Sequence, residues 1–172
     1  EEEIIRIAIK SMGLEDLGPF DPKTKILEYL LEEETAEKSL CALTCRAFAL
    51  ETASESPAPG GGSVSAYMGA LGASLGTMVA NLSSHKRGWD EKWEYFSLWA
   101  EKGQALLAEL LHLVDEDTLS YNKVMEAFSL SRSTEEEKNK RAAAIEQATL
   151  YAAEVPLKTM HTALRVYDIL EA

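Results

Sequence analysis

With 172 residues, 46% of them hydrophobic and 27% charged, the chain has the makeup of one folded domain with a sizeable core, which excludes a disordered segment. Aromatics are only 8%, and alanine, leucine and glutamate dominate, so the composition favours an all-α class. A net charge of −12 argues against nucleic acid or an anionic membrane as partner.

The first element is ambiguous. Ile5, Ala8, Ile9 and Met12 sit at helical spacing, yet Ile5, Ile7 and Ile9 alternate as in a short strand. Gly13 to Phe20 reads as a turn-rich connector. Asp21 and Pro22 then form a helix start that leads into Ile26, Leu27, Leu30 and Leu31. A further helix is expected over roughly 38–53. It would put Cys41 and Cys45 on one face, a spacing that suits neither a disulfide framework nor a zinc site. Reduced thiols fit the cytoplasm. The chain begins at Glu1 rather than methionine, as expected of a piece of a longer protein.

Next come Pro57, Pro59 and three glycines, Gly60, Gly61 and Gly62. Bare amides ahead of a helix suit a carboxylate or other anion, whereas the simpler reading is a connector capped by Ser63. Two prolines stiffen the loop, which a spacer does not need. Residues 63–82 (SVSAYMGALGASLGTMVANL) carry no charge. Their apolar bulk is too weak for a good membrane span, while their small residues at four-residue spacing permit close helix contact. The segment therefore reads as the buried central rod of a bundle.

A long helix follows. Trp89, Trp93, Phe96, Ala100, Gly103, Leu107, Leu110 and Val114 form a seam, which Tyr121, Val124 and Phe128 continue. One position on that seam is Asp117. A seam carboxylate needs a hydrogen-bonding partner or a wet cavity, unless the helix ends near residue 115 and Asp117 caps the next one. On an unbroken helix Asp115 faces away from Asp117, and Asp115 and Asn122 share a second face. The turn after the rod holds His85, Lys86 and Arg87, a basic cluster that could clamp an anionic tail, and Asn81 is a polar group near the rod's end. The last helix starts at a capping box around Ser133–Glu136. Its seam is Ile145, Ala148, Ala152, Val155, Met160, Leu164 and Tyr167, and Pro156 should kink or break it and free the Ala152 carbonyl. These elements sum to an up-and-down antiparallel helical bundle with a Gly/Ala-rich central helix and long kinked helices.

The stretch Ser56–Tyr67 (SPAPGGGSVSAY), with Gly69–Ala73 (GALGA) and Met78–Leu82 (MVANL), resembles the formiminotetrahydrofolate cyclodeaminase family. The likeness continues through Val114–Asp117 (VDED), Tyr121–Met125 (YNKVM) and Glu154–Leu157 (EVPL). Gly13–Lys23 (GLEDLGPFDPK) looks like the junction ahead of the deaminase half in bifunctional enzymes. The resemblance implies a linker or junction over 1–37, a formiminotransferase domain fused to or paired with this chain, and a bundle over 38–172. That bundle is shorter than the family's at its C-terminal end, where members carry a further helical stretch. It also implies a cytoplasmic homodimer or higher homo-oligomer that binds a tetrahydrofolate derivative as substrate without a metal, in a cleft near the subunit contact. The implied reaction, part of one-carbon metabolism and histidine degradation, closes 5-formiminotetrahydrofolate to 5,10-methenyltetrahydrofolate and releases ammonia. Alternatives are methenyltetrahydrofolate cyclohydrolase activity and a non-catalytic dimerisation module. The catalytic candidates are Asp117, Asp115 and Asn122. Those for substrate binding are Pro59, Gly60, Gly61, Gly62, Ser63, Asn81, Lys86, Arg87 and Tyr121.

Overall fold

The computed structural model describes residues 2–14, 18–26 and 39–171. They are helical, with no strand among the described residues, and fall into two compact units, Glu1–Ala42 and Leu43–Ala172.

In the first unit the ambiguity at the start resolves to a helix, α1 (Glu2–Ser11), with Ile9 buried. Gly13 ends it in the left-handed region at φ 64°, and the Leu14 amide donates back to the Ile9 carbonyl at 3.1 Å. This is the left-handed termination that glycine makes at little cost. Pro22 opens a single turn, α2 (Pro22–Lys25). Its expected continuation through Leu27, Leu30 and Leu31 lies outside the described residues. The helix expected over 38–53 is divided: a 3-10 turn spans Leu40–Ala42, and α3 (Cys45–Thr52) begins afresh. Thr44 causes the restart, since its extended backbone and its Oγ1, which accepts from the Ala47 amide at 3.1 Å, make it an N-cap. Cys41 and Cys45 therefore lie in different elements and do not share a helical face.

The second unit is built on α4 (Gly61–Ser84), α5 (Trp93–Ser129) and α6 (Glu135–Glu171). Near its start α4 meets α5 at Ser63–Asp117, and further along at Thr77–Gly103, so the two run antiparallel. The α5–α6 pair is antiparallel as well, tied by Glu109, which accepts from Thr162 at 3.1 Å and from Arg165 at 3.0 Å. The helix α6 opens on the Thr134–Glu137 capping box: Thr134 Oγ1 accepts from the Glu137 amide, and the Glu137 carboxylate accepts from the amides of Thr134 and Ser133. The Ser131 hydroxyl, followed by those two amides, holds the Glu137 carboxyl below the usual glutamate range. Pro156 lies within α6 without breaking it.

The buried stripe of α4 is Ser63, Ala66, Ala70, Ala73, Thr77, Ala80 and Ser84, at alternating steps of three and four. Small side chains let α5 and α6 approach so closely that added carbons have no room. A Cβ at Gly69 would stand 3.2 Å from Leu110, and one at Gly76 would stand 3.1 Å from Ile169. The expectation of a rod buried on all sides is corrected, however. The opposite stripe of α4 (Met68, Leu71, Leu75, Val79 and Leu82) is exposed in the single chain. Among the described residues, no helix is long and apolar enough to cross a membrane.

The predicted α5 seam holds at Ala100, Gly103, Leu110 and Val114 and fails at both ends: Trp93, Tyr121 and Phe128 are exposed, while Ser120 and Ala127 are buried. An α-helix drifts by about 20° per heptad against a strict seven-residue repeat, so over 37 residues one stripe rotates out of contact. In α6 the buried stripe past Pro156 is Thr159, Thr162, Val166 and Ile169, whereas Met160, Leu164 and Tyr167 of the predicted seam face outward.

A Cβ at Gly103 would collide with Thr77 Oγ1, whose rotamer is held by a 2.8 Å bond to the Ala73 carbonyl. Gly103→Ala is therefore expected to lower unfolding free energy by about 1–3 kcal/mol in urea titration, although alanine is the better helix former.

Candidate functional site

The N-terminus of α4 is built for a partner from another helix. Gly60 is the N-cap, with extended backbone and no side chain to cap the helix with, so the first turn looks outward for an acceptor. Asp117 of α5 supplies it. Its Oδ2 accepts from the Ser63 amide at 2.9 Å and lies 3.1 Å from Ser63 Oγ. The Ser63 hydroxyl also lies 2.8 Å from the Val114 carbonyl and 3.4 Å from Thr118 Oγ1. The positive end of the helix dipole thus faces a half-buried carboxylate.

At one position glycine is required by space. A Cβ on Gly62 would overlap the Asp117 carboxylate, whereas one on Gly60 would make an ordinary 3.7 Å contact with Oδ2. Gly61 meets nothing within 4 Å, which leaves that stretch of backbone open. Ser63 is corrected from a cap to a buried clasp: it is fully buried, three residues into the helix, and binds α5. The helix does not end near residue 115, so Asp117 stays on the continuous α5 that carries the seam.

A cleft of about 430 Å³ opens on this carboxylate. One side is the loop at Pro57 and Ala58 with the three glycines. The α5 side is Asp117, Thr118, Tyr121 and Val124, and α6 adds Thr149 and Ala152. Among the described residues no hydrogen bond is made to Asp117 Oδ1. The site thus offers a seated carboxylate, open helix-terminal backbone and an aromatic phenol in one hollow.

Of the residues singled out from sequence, the structure gathers Gly60, Gly61, Gly62, Ser63, Asp117 and Tyr121. Pro59 is buried in the loop, joined to Ala58 by a cis peptide bond. Asp115 is half-buried on α5 and turned about 200° from Asp117, while Asn122 is exposed and does not line the cleft. Asn81, Lys86 and Arg87 lie at the other end of α4, a 24-residue helix roughly 36 Å long. Lys86 Nζ there packs over the Trp89 ring at 3.8 Å from its centroid. Sequence reasoning missed Thr118 and Thr149, which carry no pattern of their own. The Pro156 signal pointed to Ala152 without showing that it lines this hollow. Among the described residues no cluster of His, Cys, Asp and Glu could hold a metal ion.

Residues 44–172 match a family model described as formiminotransferase-cyclodeaminase, and residues 1–32 match one described as formiminotransferase domain. Over 171 residues the chain is 37% identical to the formimidoyltransferase-cyclodeaminase of Mus musculus, covering 99% of this chain and 32% of the relative. It is also 37% identical over 119 residues to the methenyltetrahydrofolate cyclohydrolase of Methylorubrum extorquens, covering 69% of this chain and 57% of that one. The chain thus spans about a third of the length of the bifunctional relatives it matches. A crystal structure of formiminotetrahydrofolate cyclodeaminase from Thermotoga maritima superposes with a TM-score of 0.65 at 27% identity, over 77% of this chain and 62% of that one.

Exposed glycines in a helix's first turn usually gain stability on replacement by alanine. The opposite sign is expected for Gly62→Ala, because the Asp117 carboxylate must leave its seat: about 1–3 kcal/mol lost in denaturant unfolding. Ser63→Ala keeps the main-chain bond and should cost less, about 0.5–1.5 kcal/mol.

Proposed function

Because the chain belongs to the formiminotransferase-cyclodeaminase family, we propose that its cleft closes the ring of 5-formiminotetrahydrofolate and releases ammonia. The observation that carries this reading is Asp117, a carboxylate held by the α4 N-terminus at the edge of a substrate-sized hollow. In the reaction N10 attacks the carbon of the formimino group, which is protonated on nitrogen, and the C=N electrons move onto that nitrogen. The N10 proton passes to Asp117 and then to that nitrogen. Ammonia leaves with the C–N electron pair, and the N10 lone pair completes the methenyl cation. One group therefore takes and returns a single proton, and its negative charge lies beside the cation that forms. The fixed amides hold Asp117 in place, so little reorganisation accompanies each transfer. Gly61 backbone and Tyr121 are assigned to substrate binding, and Asp115 and Asn122 to supporting positions outside the cleft.

The likeness to a cyclohydrolase supports a second reading, in which water attacks 5,10-methenyltetrahydrofolate in the same cleft. The non-catalytic alternative lacks such support. The bundle over 38–172 is assigned the deaminase role, and 1–37 the junction with a transferase domain. Cys41 and Cys45, neither of them in a disulfide, suit a reducing, cytoplasmic compartment.

The assembly proposed is a homodimer. Its support is the exposed apolar stripe of α4, on which Met68, Leu71, Leu75, Met78 and Leu82 follow the alternating three-and-four spacing of a helix-pairing surface. Antiparallel pairing along it would bring the partner's Lys86 and Arg87 towards the cleft end of α4. Those cations lack any route to the cleft within one chain, and a folate's carboxylate tail is what they would meet.

Asp117→Asn should reduce turnover by about 10²- to 10⁴-fold, followed as methenyl-folate absorbance with each substrate in turn. Unchanged turnover removes the residue from the mechanism, and the substrate that wild type consumes faster decides between the two reactions. In sedimentation velocity, wild type is expected as a dimer and Leu75→Lys as a monomer. A monomeric wild type at micromolar concentration refutes the stripe's role.

A further inference from the structure

Pro156 carries no backbone N–H, so the Ala152 carbonyl four residues earlier has lost the donor that every regular helical carbonyl owns. The pyrrolidine ring also crowds that carbonyl and tilts it off the helix axis. In a packing interface this would be a plain cost. Ala152, however, lines the same cleft as Asp117, and its side chain is a single carbon. In a helix continuous from Glu135 to Glu171, the carbonyl that Pro156 deprives of its helical donor thus belongs to a residue of the hollow's wall.

We propose that this freed Ala152 carbonyl is the acceptor that holds the N–H of the substrate's formimino group. The proposal rests on the reading of the cleft as a formiminofolate site and assigns it a specificity element. A carbonyl cannot take a proton at neutral pH, so the division of labour is clean: Asp117 moves the proton, and Ala152 oxygen holds the nitrogen that receives it. The formimino nitrogen enters as a cationic =NH2 and leaves after gaining a hydrogen, so it presents a donor at every stage. Hydrogen bonds from charged donors are the stronger class. An analogue with oxygen at that position, 5-formyltetrahydrofolate, offers the carbonyl no donor and sets two oxygens against each other. The proline thereby selects an amidine over an amide, because an unanswered buried acceptor discriminates against the group that cannot answer it.

Pro156→Ala tests this without altering any side chain assigned to the site. The substitution restores the N–H and closes the helical bond on Ala152. For the full chain, kcat/KM with 5-formiminotetrahydrofolate is expected to fall roughly 10- to 100-fold. Over the same substitution the inhibition constant of 5-formyltetrahydrofolate should hold or fall, since the oxygen opposed to it is taken up by the helix, and the thermal midpoint should hold or rise. Pro156→Leu, which also restores the donor on a good helix former, should repeat the pattern. A merely structural proline would give the reverse: formimino and formyl affinities falling together, or the midpoint dropping. Either of those results overturns the proposal, as does a variant with wild-type kcat/KM. A wild-type chain inert to both folates removes the functional reading along with it, whereas an active wild type matched by Pro156→Ala removes this inference alone.

Discussion

One carboxylate and one helix end organise the second unit. Asp117 sits on the seam of α5, where an unpaired charge would be costly, and the first turn of α4 has amides without a side-chain cap. Each supplies what the other lacks. The 2.9 Å bond from the Ser63 amide to Oδ2 caps α4 from outside its own sequence and satisfies the buried oxygen at the same time. Gly62 follows from this pairing, because the carboxylate occupies the place of its side chain. The cleft follows as well, since the loop must stop short of α5 to leave the carboxylate's other face open.

The same economy of volume runs down α4. Alanine, serine and glycine on its packed stripe bring backbones together, so contacts are many but each residue contributes little apolar area. Leucine and valine, which contribute more, lie on the stripe that stays exposed. A helix whose small side is packed and whose large side is open has most of its hydrophobic free energy still to gain. That imbalance is a stronger argument for association than the mere presence of surface leucines, which is ordinary.

How far the sequence revealed this can be judged residue by residue. The helical class, the long α5 and α6, and the buried small-residue stripe were legible because periodicity over many residues averages out local ambiguity. Asp117 was legible as a misfit on a seam, and the glycines as a stiffened turn. What could not be read was that the two explain each other, since a contact across 54 positions leaves no local pattern. The α5 seam was over-extended to Tyr121 and Phe128 because a strict heptad ignores the slow rotation of a real helix. The 38–53 helix failed at Thr44, where one side-chain cap outweighed continuous propensity. Lys86 and Arg87 looked like site residues because they are basic in an acidic chain. Distance along α4 separates them from the cleft, and charge alone carries no distance.

Two violations of helix grammar remain, and they converge. A run of glycines is a poor way to start a helix, and a proline is a poor residue in the middle of one; each costs stability that an ordinary bundle would keep. Here both act on one hollow: the glycines line it and make room for a carboxylate, and the proline deprives the carbonyl of Ala152, which also lines it, of its helical donor. Sequences depart from local preference where the departure is used, so coincidence of two independent departures in space is more informative than either alone. The acidic oxygen and the neutral oxygen differ in what they can do. A carboxylate is able to accept and return a proton, while a carbonyl only accepts hydrogen bonds, and a cleft equipped with both can hold a nitrogen while its proton count changes. An all-helical scaffold has few backbone groups to offer a ligand, because its ladders consume them. Breaking the ladder at an end and at a proline is how a helix bundle frees such groups without adding a loop.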